Sequence, residues 1–299
     1  MFDVIGIGRS CMDHLALLEA MPRIDSKVPM VRYRMVGGGQ TATAMVALSR
    51  LGLKAAYIGK VGDDAGGRLV VDGLEKEGVD TSGVVIEKGV ATPVALIFVD
   101  GETGRRTIAY LDSMNDGLTL DRVDVEKILS ARCLLIDPQE TLLGVQISGE
   151  AKRRGVTLIY DAEHKVEGFR EMLSCCDYAI GSEDVVGVME AGGPGEALEQ
   201  IFSCGPKAAV ITLGERGCVA VSSEGLIRKP AFSVDVVDTT AAGDAFHAGF
   251  AYSVLKGWDI EKTLEFSNAM GALACRGLGG RESLPALEEV MELLGWQSG

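Results

Sequence analysis

The residues best suited to chemistry lie in the run Asp235-Val236-Val237-Asp238-Thr239-Thr240-Ala241-Ala242-Gly243-Asp244-Ala245-Phe246, which leaves a β-like stretch and enters a helical one through small side chains. Without bulk at Ala241, Ala242 and Gly243, backbone N–H groups can point at a phosphate, and the positive end of the helix that follows adds to their pull. A carboxylate directly beside such a cradle, as Asp244 is, cannot itself bind phosphate and is better suited to take a proton from an attacking hydroxyl. Taken alone, the same Asp reads equally well as a helix cap.

Other punctuated segments carry weaker signals. Thr212-Leu213-Gly214-Glu215-Arg216-Gly217 puts glycines where a backbone must pass close to another group, though strands often end this way. Asp13, in Ser10-Cys11-Met12-Asp13, reads by itself as a solvated loop acid. Gly6-Ile7-Gly8 opens like a dinucleotide fingerprint but lacks the third glycine, and no acidic residue closes a second strand at the required distance. No Gly-x-x-x-x-Gly-Lys-Ser/Thr run is present, which argues against a P-loop nucleotidase. His14, His164 and His247 are scattered, and His247, one turn past Asp244, receives no role.

These residues must be held by elements, and the hydropathy pattern supplies them. Short apolar runs at 2–8, 55–60, 131–137, 156–161, 178–181 and 208–213 alternate with helical periodicity, as in 41–51 and 69–77. Strands buried on both faces read this way, so the pattern predicts an α/β domain built on a parallel sheet covered by helices. The alternation breaks at about 12–36 and 90–110, where period-2 patterns surround 29–35, 94–99 and 105–110, with a hairpin loop at Asp100-Gly101-Glu102-Thr103-Gly104. These excursions form either a small β-sheet lid or an edge hairpin. The last third is helical at 243–256, 260–275 and 284–294. No repeat or Pro/Ser-rich linker divides the chain, so 1–299 reads as a single domain.

Composition narrows the partners. A formal charge of −14 repels nucleic acid and anionic lipid, so neither is expected; an anionic substrate must be met by helix N-termini, a divalent metal and a few placed cations. Seven cysteines form no disulfide framework or zinc spacing and read as small buried hydrophobes of a reducing compartment. No basic leader precedes the first strand and no apolar run reaches the ~18 residues of a membrane span. The expectation is a cytoplasmic protein.

The run from Asp238 to Asp244 resembles the C-terminal signature of the ribokinase/PfkB carbohydrate kinases. Gly37-Gly38-Gly39-Gln40-Thr41-Ala42-Thr43-Ala44, then Ser49-Arg50-Leu51-Gly52 and Gly59-Lys60-Val61-Gly62-Asp63-Asp64-Ala65-Gly66, resemble the family's N-terminal signature. The resemblance implies a ribokinase-like fold, a doubly wound, mostly parallel sheet with a small β-sheet lid, and ATP-dependent phosphorylation of a sugar hydroxyl. It makes Asp244 the catalytic base and Ala241, Ala242 and Gly243 the anion hole. Gly38 and Gly39 fall at the lid hinge and sugar site, Asp13 on sugar hydroxyls, and Thr43 where many members carry Asn. Thr212, Gly214 and Gly217 correspond to the nucleotide turn; Asn268 and the loop holding Gly279 fall where relatives cover the adenine. Asp238 and Thr240 fall where many members bind a monovalent cation such as K⁺.

For Mg²⁺ the chain has Ser182-Glu183-Asp184-Val185 in place of the commoner Asn-x-x-Glu, a form like the ketohexokinase branch, leaving Glu183 and Asp161 as outer carboxylates. The stretches 234–244, 36–64 and 279–281 also resemble the sulfofructose kinase branch. A sulfonate or phosphate on the acceptor calls for convergent cations, and Lys27 and Arg106 are available in the lid. Ala109 and Gln139 are neutral where that branch would place anchors, so a ketose or related neutral sugar stands beside a sulfosugar, a sugar phosphate or a nucleoside as acceptor. A sugar- or nucleoside-binding sensor without catalysis is the reading of another class; it has no need of a base at Asp244. Exposed lid strands leave a homodimer open.

Overall fold

The computed structural model describes residues 1–114 and 116–296. In chain order its strands are β1 (Val4–Ile7), β2 (Cys11–Leu18), β3 (Met30–Gly38), β4 (Ala55–Ile58), β5 (Lys60–Gly62), β6 (Val85–Glu87), β7 (Val94–Asp100), β8 (Arg106–Leu111), β9 (Cys133–Ile136), β10 (Thr157–Asp161), β11 (Tyr178–Ser182), β12 (Ala208–Thr212), β13 (Cys218–Ser222) and β14 (Gly225–Lys229). The helices are α1 (Gln40–Arg50), α2 (Ala65–Lys76), α3 (Val125–Ile128), α4 (Thr141–Arg153), α5 (Phe169–Cys175), α6 (Val185–Val188), α7 (Pro194–Ser203), α8 (Ala242–Leu255), α9 (Ile260–Ala274) and α10 (Leu287–Leu294).

The main sheet runs β14-β13-β12-β11-β10-β9-β1-β4. The strands from β12 to β4 pair in parallel, and β13 and β14 close one edge antiparallel. Alternate residues of one strand enter opposite cores. Val4, Cys133, Leu135, Ile159 and Val210 pack with α1, α8 and α9. Ile5, Ile7, Leu134, Ile136 and Leu158 pack with α4, α5 and α7. Full burial of each such side chain stabilises by roughly 1.5–3 kcal/mol relative to exposure, which is why four-residue strands suffice. The consequence for function is geometric: all the parallel strands end at one edge, and the loops there meet.

A second sheet, β3-β2-β7-β8, stands beside that edge and is continuous with it, because β1 passes into β2 through Gly8-Arg9-Ser10. β2 pairs in parallel with β7 and antiparallel with β3. Its inner face carries a small core of Leu15, Ala95, Ile97 and Val99, capped by Leu278. The β7–β8 turn is held by Asp100, whose Oδ1 accepts from the backbone N–H groups of Glu102 and Thr103.

The sequence pattern left β2 out, reading 12–36 as a break with period 2 only near 29–35. Cys11–Leu18 has no clean alternation of burial, since Ala16 and Leu18 are covered on the opposite face as well. Among the described residues no helix is long and apolar enough to cross a membrane.

Candidate active site

Helix α8 begins where the chain makes a turn that its sequence does not favour. Ala241 takes the left-handed conformation, φ 65°, ψ 6°, at the cap position and offers no side-chain cap. For an L-residue this costs about 1–2 kcal/mol, and surrounding contacts hold it there. Asp238, fully buried, accepts from Thr240 N–H through Oδ1 (2.8 Å) and from Gly279 N–H through Oδ2 (3.0 Å). Thr239 N–H donates to the Gly104 carbonyl of the β7–β8 turn (3.2 Å), and Arg106 Nη1 donates to Thr239 Oγ1 (3.0 Å). A Cβ on Gly280 would stand 3.5 Å from that of Ala241. The turn is thereby clamped between the second sheet and the 275–286 loop, and the first N–H of α8, that of Ala242, makes only a long bond to the Thr239 carbonyl (3.4 Å). Gly243 is exposed, and nothing lies within 4 Å of where its Cβ would be.

Asp244 follows in the first turn, half-buried. Burial pushes its carboxyl well above the usual carboxylate range; His247 works against that shift, and the Asp161 and Glu163 carboxylates reinforce it. Asp161, at the end of β10, is 3% exposed and also raised by burial, then by Glu163 and Asp137. Its Oδ1 lies 3.7 Å from His247 Nε2, and neither atom has a hydrogen-bond partner. His247 Nδ1–H donates to the Gly243 carbonyl (2.8 Å), tying the histidine to the first turn of α8.

The acceptor-side expectations converge on β2, β3 and α1. Asp13 lies on β2 and, contrary to its reading as a loop acid, is 6% exposed; its carboxyl is pushed up to about 6 by burial, against which Cys11 and Arg281 act. The Cys11 thiol donates to Asp13 Oδ1 (2.9 Å). A Cβ on Gly38 would collide with that carboxylate, and one on Gly39, whose φ is +96°, would collide with the Arg9 carbonyl. Thr43 is buried in α1. Lys27 is exposed in the β2–β3 connection, and Arg106 is exposed on β8 near Asp244.

At the far end of the same edge Thr212 closes β12 beside Ser182 of β11, and Glu183 pairs with Arg216. Gly214 and Gly217 both have positive φ; a Cβ on Gly217 would run into the Lys229 carbonyl, so this glycine answers to packing against β14. The Asn268 amide is occupied too, donating to the carbonyls of Lys229 and Pro230 (3.3 and 3.0 Å). Gly279 has φ +104° and donates to Asp238.

Several residues of the site escaped sequence reasoning. Asp137, at the end of β9, accepts from Arg9 N–H (2.6 Å), Gln139 N–H (3.0 Å) and Thr41 Oγ1 (3.1 Å) and so joins three elements. Glu163 accepts from Gln40 at the start of α1, and Arg9 pairs with Asp112 just past β8. An acid ending an apolar run, as Asp137 does, was a usable signal. Arg281 gave none.

Comparison with known proteins gives a consistent picture. The family described as pfkB family carbohydrate kinase matches residues 1–287. A 5-dehydro-2-deoxygluconokinase of Geobacillus thermodenitrificans is 28% identical over 98% of this chain and 93% of its own. An ATP-dependent ribose-1-phosphate kinase of Halopiger xanaduensis is 30% identical over 98% of both chains. Among solved structures, Arabidopsis thaliana ribokinase complexed with ribose and ATP superposes with a TM-score of 0.82 at 22% identity over 99% of both chains. An Escherichia coli protein assigned as a ribokinase II, in complex with ATP and Mg²⁺, gives 0.84 at 21% identity, again over 99% of both. At these identities the two structures share the ribokinase-like fold.

Proposed function

The chain belongs to the pfkB family of carbohydrate kinases, and on that premise we propose that it transfers the γ-phosphoryl group of ATP to a hydroxyl of a ketose or related sugar. The observation that carries this reading is the start of α8, where a left-handed Ala241 cap and an exposed Gly243 with open space beside its Cα immediately precede Asp244. The acceptor enters between the main sheet and the second sheet, positioned by Asp13, Gly38, Gly39 and Thr43. Asp244 takes the proton of its attacking hydroxyl. Charge on the transferring oxygens is met by N–H groups of Ala241, Ala242 and Gly243, so catalysis is mostly orientation and electrostatics. Thr212, Gly214, Gly217, Asn268 and Gly279 are proposed to border the nucleotide, with Asn268 acting by holding the β14 end in place rather than by a free amide. The second sheet acts as the lid over one domain, excluding water from the transfer.

Magnesium bound with the nucleotide would supply charge neutralisation at the phosphates. The hard oxygens of Asp161, one of them unpartnered, fit a role at its edge, while Glu183 is engaged by Arg216 and fits only an outer one. Thr240 Oγ1 is buried and unpartnered beside Asp238, which supports these two residues as holders of a monovalent cation such as K⁺. A sugar-phosphate acceptor is a second reading, favoured by the name of the Halopiger relative. Lys27 and Arg106 would serve it.

The test is ATP consumption against ketoses, aldoses, nucleosides, sugar phosphates and sulfosugars, with Asp244→Asn alongside. We expect turnover on one class and a loss of ~10²–10⁴-fold in the variant, with nucleotide binding retained. Undiminished turnover in Asp244→Asn removes the assignment of the base. Ligand-induced stabilisation without ATP consumption moves the reading to a binding protein.

A further inference from the structure

Arg281 is a buried cation for which the fold supplies almost no partners. It is 6% exposed, Nη2 donates to the Gly38 carbonyl (3.0 Å), and Nε and Nη1 are buried without any hydrogen-bond partner. Among the described residues no carboxylate comes within ion-pair distance of it. Burying a charge on such terms works against stability, and an apolar side chain of the same length would serve packing better. The position therefore asks for a functional reason.

The surroundings supply one. A Cβ on Gly37 would lie 2.9 Å from the Arg281 Cζ and still nearer Nη1, while a Cβ on Gly38 would overlap the Asp13 carboxylate. The end of β3 is thus threaded between a guanidinium on one side and a carboxylate on the other, and only glycine fits at either residue. The ionisable groups that feel Arg281 are Asp13, Cys11, Tyr57, Asp244 and Glu77. Glu77 is already held at both oxygens by Arg50 (2.9 and 2.8 Å). Tyr57 donates its hydroxyl to the Gly8 carbonyl (2.6 Å), and the Cys11 thiol donates to Asp13. The charges left for Arg281 to balance are the two carboxylates of the proposed acceptor site. His14, next to Asp13 on β2, is partly exposed and engaged with Tyr33, and the remaining cation facing this strand end, Arg9, is paired with Asp112.

We propose that Arg281 is a positioning residue of the acceptor site, whose buried charge holds Asp13 as a carboxylate aimed at the acceptor and whose Nη2–H pins the Gly37-Gly38 hinge to the loop behind the α8 turn. This rests on the reading of Asp13 as a partner of the acceptor's hydroxyls. An ionised Asp13 accepts hydrogen bonds from two hydroxyls at once, whereas a protonated one gives up part of that capacity. Burial already carries the Asp13 carboxyl to about 6, so little margin remains at neutral pH. Without the neighbouring cation the carboxyl rises further and binding of the acceptor weakens, first at the acid side.

The experiment pairs Arg281→Met with Arg281→Lys, and Arg281→Gln replaces the Met variant should that fail to fold. Carboxyl ¹³C NMR, with the Asp13 resonance assigned through Asp13→Asn, reads the titration without any need for turnover. The expected result is an Asp13 midpoint raised by about one unit in Arg281→Met and restored in Arg281→Lys. In steady-state assays at pH 6.5 the acceptor KM should rise about threefold in the Met variant, while the ATP KM stays unchanged. An unmoved Asp13 midpoint overturns the inference, as does an equal rise in both KM values accompanied by a lower Tm, the mark of a structural role. If the wild-type protein turns over no acceptor, the kinase reading fails, and the carboxyl titration still decides the role of Arg281.

Discussion

Asp244 carries two opposing demands. As a base it must be ionised, yet burial and the Asp161 and Glu163 carboxylates favour its protonated form. An acid with a raised pKa becomes a base only above that raised value, so kcat/KM of the free enzyme should fall on acidification and should begin to fall at a higher pH than an ordinary carboxylate of ~3.9 would give. A pH–rate profile measured with saturating Mg²⁺ checks this; a flat profile down to pH 5 contradicts the assigned base. Replacing His247, which works against that shift, by Gln should move the acid limb further up, since the carboxylate then loses a favourable neighbour. Asp244 was legible in the sequence because small residues before an acid at a helix start are a local pattern. Asp161 and His247 were seen there only as an outer metal carboxylate and a residue without a role, and Glu163 was not seen, because 83 residues separate Asp161 from Asp244 and only the sheet brings the two carboxylates together.

Elements position these groups through a few glycines whose reasons differ. Gly39 caps α1 with φ +96° and has the Arg9 carbonyl where a Cβ would go, whereas Gly52, φ +84°, has nothing within 4 Å. Gly52→Ala should therefore cost only the backbone term of about 1 kcal/mol, and Gly39→Ala should cost about 1–3 kcal/mol more. Chemical denaturation of both variants measures the difference, and equal costs would mean that the loop carrying Arg9 yields freely. The strands of the main sheet were readable because burial on both faces leaves continuous apolar runs. β2 was not, because Ala16 and Leu18 are buried on one face as Asp13 and Leu15 are on the other, which removes the alternation that marks a half-exposed strand, and its partner β7 comes from about 80 residues away.

At the scale of the whole molecule, the second sheet leaves an apolar patch exposed on one face. Tyr33, Met35 and Leu96 are exposed, and the register of β3, β2 and β7 sets them on the face opposite Asp13, with Val31 exposed beside them at the bulge in β3. The sequence left a homodimer open, and sedimentation tests whether this face carries one: a dimer that Met35→Glu with Leu96→Glu converts to a monomer would place it here. A monomeric wild-type protein removes that expectation. The charge of −14 bears on solubility and association and says nothing of this patch, since the patch is a matter of which residues share a face.

Sequence alone determined the class of the fold and the run of small residues before an acid at a helix start, because strand burial, helix periodicity and a helix start are local properties of a few consecutive residues. It also carried the resemblance to the family over nearly the whole chain. What only the tertiary structure decided is which polar groups come together: Arg281 with the Gly38 carbonyl, within electrostatic reach of Asp13, Asp137 with the Arg9 backbone and the Thr41 hydroxyl, and Asp161 with His247. Electrostatic interactions depend on distance and burial, and neither quantity is written in the order of residues until the sheet has brought distant segments to a common edge.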